Sequence, residues 1–406
     1  MNLPNDCLME ILSWLPAKKT IILKTVNKNF FHLISNSFFN ALQARHVKST
    51  NAGILMNRHG WRYISEVLFF DQASNVPPDS MKILSRKMQN LLGSFNGLIF
   101  FEGNDYRLYV FNPVTKTIAE IPSPPNVQLH INATLFSRAM CVSSDNGEEF
   151  EMIFIARKKN LVTKPHLEEE EEEPFYFTFE CMSYSSKYMS WEYIAEIDLG
   201  ERNIIAEDPV FVNGYIYFLS TTAATDTTSV HPYILAFHVD KRKSEFVPLP
   251  EQVQKLDGDS YEVRIAPSSN NNTDGQLCLI QYIKKERVVV WVMMCHSSAS
   301  SSSSSSSSLS SQGFWRKVHE VDIITLGLGE VDIMTLRFGE DRDKEIGNYI
   351  LIDGKLLVFS VSMYIYTYDF VEGSLNKVGK HKQGERPRLN PYANTLHSCG
   401  KFEQQI

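Results

Sequence analysis

The stretch FNGLIFFE (residues 95–102), followed by YRLYVFNPVT (106–115) and IPSPP (121–125), sets the pattern for most of this 406-residue chain. A turn glycine opens an apolar run, an aromatic-rich run follows, and a Leu-Pro or a Trp often closes the unit. The order returns in VNGYIYFLS (212–220) with YILAFHVDKRKSEFVPLP (233–250), and in DGQLCLIQYI (274–283) with RVVVWVMM (287–294) and FWRKV (314–318). It returns again in DGKLLVFSV (353–361) with YIYTYDF (364–370), so the marking glycines are Gly97, Gly214, Gly275 and Gly354. EFEMIFIA (149–156), FYFTFECMSY (175–184) and WEYI (191–194) fill the widest gap as a unit without glycine. Short runs rich in Val, Ile, Tyr and Phe between Gly, Asn, Asp and Pro turns read as β-strands. Sustained helical periodicity is missing here, which argues against a doubly wound α/β sheet with a nucleotide crevice.

Each unit reads as one four-stranded blade. Blades of roughly 40 to 50 residues pack radially and keep their edges short, so residues 55–380 predict an all-β propeller of six to eight blades. The repeat favours this over a pair of β-sandwiches. Neither a Trp-Asp dipeptide nor a Gly-Gly doublet occurs, so the units are not well-formed WD or kelch repeats.

Ahead of the blades the period changes. In LPNDCLMEILSWLP (3–16), Leu8, Ile11, Leu12 and Leu15 fall at i, i+3, i+4 and i+7, one face of a helix bracketed by Pro4 and Pro16. Thr20 is placed to cap a second helix, and Ser37 precedes Phe38 and Phe39, so two or three short helices fit residues 1–46, with 47–54 as a linker. Such a unit is small for a core of its own, and periodicity alone leaves two readings open: its apolar surplus implies a partner, or the helices are a cap packed on the rest of the chain.

The net charge of −7, from 40 basic and 47 acidic residues, gives no basis for nucleic-acid binding. Residues 1–48 carry Lys18, Lys19, Lys24, Lys28, Arg45 and Lys48 against Asp6 and Glu10, so this segment is +4 and the rest −11. The two parts are expected to face different partners. Six scattered cysteines suit a reducing compartment, and the longest apolar run, 288–295, is far short of the roughly 20 residues of a membrane helix. The expected location is cytosol or nucleus, with no membrane or nucleic-acid partner.

The segment 3–39 resembles an F-box, whose pattern is a Leu-Pro opening, an Ile-Leu pair, a second Leu-Pro and a Val-x-Lys-x-aromatic run. Here these are Leu3-Pro4, Ile11-Leu12, Leu15-Pro16 and Val26-Asn27-Lys28-Asn29-Phe30, with Asn27 and Phe30 standing where the family usually has Cys and Trp. The resemblance implies that Leu3, Pro4, Ile11, Leu12, Leu15, Pro16, Val26, Lys28 and Phe30 dock a Skp-type adaptor, which bridges to a cullin and a RING subunit. The β-region resembles the F-box-associated interaction domain, a kelch-related propeller abundant in plant F-box proteins, through Ser94-Phe95-Asn96-Gly97-Leu98, Asn112-Pro113-Val114-Thr115-Lys116 and the strand pair 233–250. Together they imply the target-capturing subunit of a ubiquitin ligase. A non-degradative scaffold and a propeller glycoside hydrolase are the alternatives.

Nothing in the sequence spells a catalytic, cofactor or metal site. Gly354-Lys355 lacks the Ser or Thr of a P-loop, Gly93-Ser94-Phe95-Asn96-Gly97 places Ser wrongly for a nucleophile elbow, and His319-Glu320 meets no second histidine. No carboxylate spacing marks a hydrolase pair. The glutamate run 168–173 and the serine-rich stretch 297–311 read as solvated insertions, and 381–406 as a tail. EVDIITLGLG (320–329) is repeated almost unchanged as EVDIMTLRFG (330–339), and ten added residues preserve strand facing. The target-binding residues carry no readable pattern.

Overall fold

A computed structural model describes residues 3–47, 52–59, 65–70, 78–125 except 96, 138–143, 149–158, 178–198, 204–220, 233–254, 261–268, 275–294 except 285, 314–323, 326, 346–380 except 362, 388–400 and 403–405. The glutamate run, the serine-rich stretch and the second copy of the ten-residue duplication lie outside the described residues.

Residues 3–47 form four helices, α1 Asn5–Ser13, α2 Ala17–Leu23, α3 Lys28–Ile34 and α4 Ser37–Val47, rather than two or three. Pro4 and Pro16 immediately precede the first two, where a fixed φ and a missing N–H cost nothing. The expected cap Thr20 therefore lies inside α2, its Oγ1 donating to the Pro16 carbonyl at 3.1 Å. Asn27, a departure from the family pattern, caps α3 by accepting the Phe30 N–H at 2.8 Å. Its replacement by alanine is expected to cost about 1 kcal/mol, checked by chemical denaturation.

The β-region contains the strands β1 Ala52–His59 and β2 Ser65–Phe70, the helix α5 Pro78–Lys87, and then five sheets of blade form. These are β3 Met88–Phe95, β4 Leu98–Gly103, β5 Leu108–Asn112 and β6 Thr117–Ile121; β7 Arg138–Ser143, β8 Glu151–Lys158, β9 Thr178–Ser185 and β10 Ser190–Asp198; and β11 Ile204–Val212, β12 Tyr215–Ser220, β13 Tyr233–His238 and β14 Lys243–Pro248. After α6 Glu251–Gln254 come β15 Tyr261–Pro267, β16 Leu277–Ile283, β17 Arg287–Met294 and β18 Phe314–Asp322, then β19 Ile346–Ile352, β20 Leu356–Val361, β21 Tyr364–Asp369 and β22 Ser374–Lys380. Among the described residues five blades stand where six to eight were expected. The length estimate charged every residue to a blade, whereas 159–177, 295–313 and 327–345 lie outside the described residues, and β1 and β2 form a separate sheet with β23 Arg388–Ala393. The segment read as a tail thus carries β23 and also β24 Gln404–Gln405, which adds to the edge of β6.

The second strands explain why the repeat reads as continuous apolar runs. β4 and β16 are buried along their whole length, so both faces demand apolar side chains, whereas β14 is mostly exposed and mixed. The turns between third and fourth strands also repeat. Asn112, His238 and Asp369 pair with the residue five positions on, and each accepts backbone N–H bonds from the turn that it opens. The turn ends left-handed, at Lys116 (φ 58°), Arg242 (φ 52°) and Gly373 (φ 64°), and Met189 (φ 52°) matches them between β9 and β10.

The chain divides into two compact units. In the unit comprising Met1–Phe154, Ser183–Glu192 and Asp332–Ile406, one apolar cluster joins Leu55, Leu91, Phe101, Phe111 and Tyr392, and another joins Ile54, Met56, Val358, Ile365 and Leu389. Here Trp191 Nε1 donates to the Pro122 carbonyl at 2.7 Å. In the unit comprising Ile155–Met182 and Tyr193–Val331, the core gathers Val212, Leu219, Ile234, Leu279, Val289 and Trp291. There Trp315 Nε1 donates to the Pro248 carbonyl at 2.9 Å, so in both units a tryptophan of a fourth strand is fastened to the proline that ends the preceding blade. Trp315→Phe keeps an aromatic ring but removes the N–H and part of the buried area, so a loss of at least about 1 kcal/mol is expected in chemical denaturation.

Candidate functional site

The helical module packs on its own unit. Leu12, Ala17, Ile34 and Phe39 are buried together with Val114 of the β5–β6 turn and Leu396, while Met9, Leu15, Ile21, Leu23 and Phe30 pack at the margin. This core is one that the module shares with the β-region, which answers the expectation that so short a unit needs a partner.

The sequence-derived docking residues fall into two groups. Leu12 is buried, and Leu15 and Phe30 pack at the edge of the same cluster, with Pro16 half-buried beside them. Leu3, Pro4, Ile11, Val26 and Lys28 are exposed. Leu3, Ile11, Trp14, Ile22, Val26, Phe31 and Phe38 each leave half or more of their surface to solvent. These seven are half of the large exposed apolar side chains among the described residues, concentrated in the first tenth of the chain. Large apolar side chains exposed in such number on one short module are the kind of feature from which interaction surfaces are built. Trp14, Ile22, Phe31 and Phe38 were not in the sequence-derived set. Trp14 was legible in principle, because it continues the spacing of Cys7 and Ile11 on the side of α1 opposite Leu12.

A seam between α2–α4 and the segment 394–400 fixes the module. Buried Asn112 donates through Nδ2 to the Thr395 carbonyl at 3.1 Å and the His397 carbonyl at 2.8 Å, while its Oδ1 accepts from Val114 N at 2.9 Å and Thr115 N at 3.3 Å. Gln43 of α4 accepts the Leu396 N–H at 3.3 Å, and Cys399 Sγ lies 3.2 Å from the Thr117 carbonyl. A cavity of about 560 Å³ along the seam is lined by Lys24, Asn40, Glu149, His397 and Glu403 among others. Burial pulls the Lys24 ammonium below the usual lysine range, with Glu403 opposing, and burial pushes the Cys399 thiol up to about 12, an unreactive state. Among the described residues no group of three or more His, Cys, Asp or Glu is placed to hold a metal ion.

A helical module with an exposed apolar side, sharing a core with the β-strands of its own unit, is followed by a blade-built β-region. The first part, residues 1–42, matches the F-box domain, and residues 74–325 match the F-box associated beta propeller domain. The chain belongs to the F-box associated β-propeller family. No curated protein matches it. Similar solved structures include an oligogalacturonate lyase in complex with manganese (10% identity, 78% of this chain and 71% of that one, TM-score 0.40) and another from Vibrio parahaemolyticus (11%, 81% and 80%, 0.40). The WD40 domain of SCAP from fission yeast is also similar (9%, 86% and 87%, 0.29). Likeness at these scores carries no argument about activity.

Proposed function

We propose that this chain is the substrate-recognition subunit of a Skp–cullin–F-box ubiquitin ligase, which docks a Skp-type adaptor through α1–α3 and holds a target protein on the propeller. The observation that carries the reading is the exposed apolar set of Leu3, Ile11, Trp14, Ile22 and Val26 on a module that matches the F-box domain. Aromatic and aliphatic side chains at a surface are the usual source of interface energy, and the charge excess of the segment 1–48 suits an acidic partner. On this reading the chain does no bond chemistry. Holding the target raises the effective concentration of its lysines near a ubiquitin-charged enzyme on the cullin. The shared core of Leu12, Val114 and Leu396 serves that role, because a module fixed to the propeller transmits a defined position to whatever the propeller holds. The work would be done in the cytosol or nucleus. Co-purification of the chain with a Skp-type adaptor and a cullin tests it: a stable ternary complex is expected, and no adaptor binding at micromolar concentration would sink it.

A further inference from the structure

We infer that Trp14 is a preorganised anchor of the adaptor-docking face and that His46, four residues beyond the matched F-box stretch, is the residue that positions it. The inference rests on the adaptor-docking reading above.

Leu3, Cys7, Ile11 and Trp14 follow one another at helical spacing, all exposed, so they form an apolar stripe along α1 and the turn after it. Trp14 stands at the last position, just past the end of α1, with 59% of its surface in solvent. A side chain so exposed would ordinarily sample several rotamers, and ordering it costs entropy that its own packing does not return. Here it is held on a face and at an edge. The indole stacks on the His46 imidazole with centroids 4.0 Å apart and planes 11° from parallel, and its Nε1 donates to Glu10 Oε1 at 3.3 Å.

His46 is fixed in turn. Buried Ser13 donates its single hydroxyl proton to the Glu10 carbonyl at 2.6 Å, so the oxygen that lies 2.8 Å from His46 Nδ1 accepts from that nitrogen, which fixes the plane of the ring. The other nitrogen, Nε2, lies 3.6 Å from Glu10 Oε1, the atom that receives the indole. Three side chains, Glu10 and Ser13 of α1 and His46 of α4, thus hold one exposed ring, Ser13 by way of His46. None of this buries Trp14, so the ordering serves whatever lands on the exposed side. An aromatic held in its bound conformation binds more tightly because its ordering cost has already been met. The occupant that fits is the adaptor, since the F-box match covers Trp14 and the stripe runs on from Leu3.

The test is a set of dissociation constants between purified full-length variants and a purified Skp-type adaptor. Trp14→Ala is expected to weaken binding about thirtyfold, and His46→Ala about tenfold. His46→Phe keeps the stack and should recover binding to within about threefold of wild type, while His46→Gln keeps a partner for Ser13 and should bind as weakly as His46→Ala. The Trp14→Ala/His46→Ala pair should bind no worse than Trp14→Ala alone, because His46 acts through the indole. Binding by Trp14→Ala within twofold of wild type, beside an Ile11→Asp variant that has lost it, overturns the inference and leaves the docking reading intact. Additive losses in the pair, or no recovery in His46→Phe, overturn the positioning role. A wild-type chain that does not bind the adaptor removes both.

Discussion

Replacing Asn112 with leucine is expected to lower the stability of the Met1–Phe154 unit by about 4 kcal/mol, at the upper end of single-residue effects. The side chain is fully buried and uses both amide protons and the carbonyl oxygen, two bonds reaching the 395 and 397 carbonyls and two closing its own turn. Leucine has similar volume, so no cavity opens, but the partner groups are left unpaired at about 1–3 kcal/mol for each that water cannot reach. The loss should concentrate at the seam. Denaturation would therefore show a lower midpoint, and limited proteolysis would release the segment 394–405 before the propeller is cut. A variant with the wild-type midpoint would mean that the turn and the segment hold each other without the amide.

Adaptor binding should fall at least a hundredfold in Ile11→Asp/Val26→Asp, measured by titration of the purified adaptor. Both side chains are more than half exposed, so charge placed there meets water in the free chain and an apolar surface only in the complex. The unfolding free energy, read by chemical denaturation, should stay within about 0.5 kcal/mol of wild type, as for ordinary surface changes. Leu15→Asp would be a poorer probe, because Leu15 packs against the cluster of Leu12, Ile34 and Phe39 and its loss would unfold the module as well. Unchanged affinity in the exposed pair would place the docking surface elsewhere.

Period and turn chemistry were legible because they act locally. The strand runs of 98–103, 215–220, 277–283 and 356–361 all became second strands of blades, and Gly97, Gly214 and Gly354 adopt positive φ as turn glycines must. Gly275 does not share that role; its carbonyl accepts from Asn213 Nδ2 at 2.8 Å. The blade count was not legible, since length cannot tell a strand from an insertion. The docking set divided for a related reason: a motif gives residues in order, while the choice between Leu12 inward and Ile11 outward depends on Val114 and Leu396, more than seventy residues away. The Trp-to-Pro links and the His46 contact are likewise distant pairings, which a single sequence does not announce. Asn112 stood in the quoted motif, but its purpose appears only once the segment 394–400 lies across it.

The pairing of Ala52 with Ala393 has a consequence for the order in which the molecule is made. On a ribosome adding 5–20 residues per second, β1 emerges roughly half a minute before the strand that completes its sheet. The helical module emerges earlier still, and its core lacks Leu396 for the same interval. A nascent or truncated chain thus holds an unfinished module while its propeller is being built. Only after residue 396 has left the tunnel can the module reach its final packing, so the geometry ties completion of the helical module to completion of the strands that follow it.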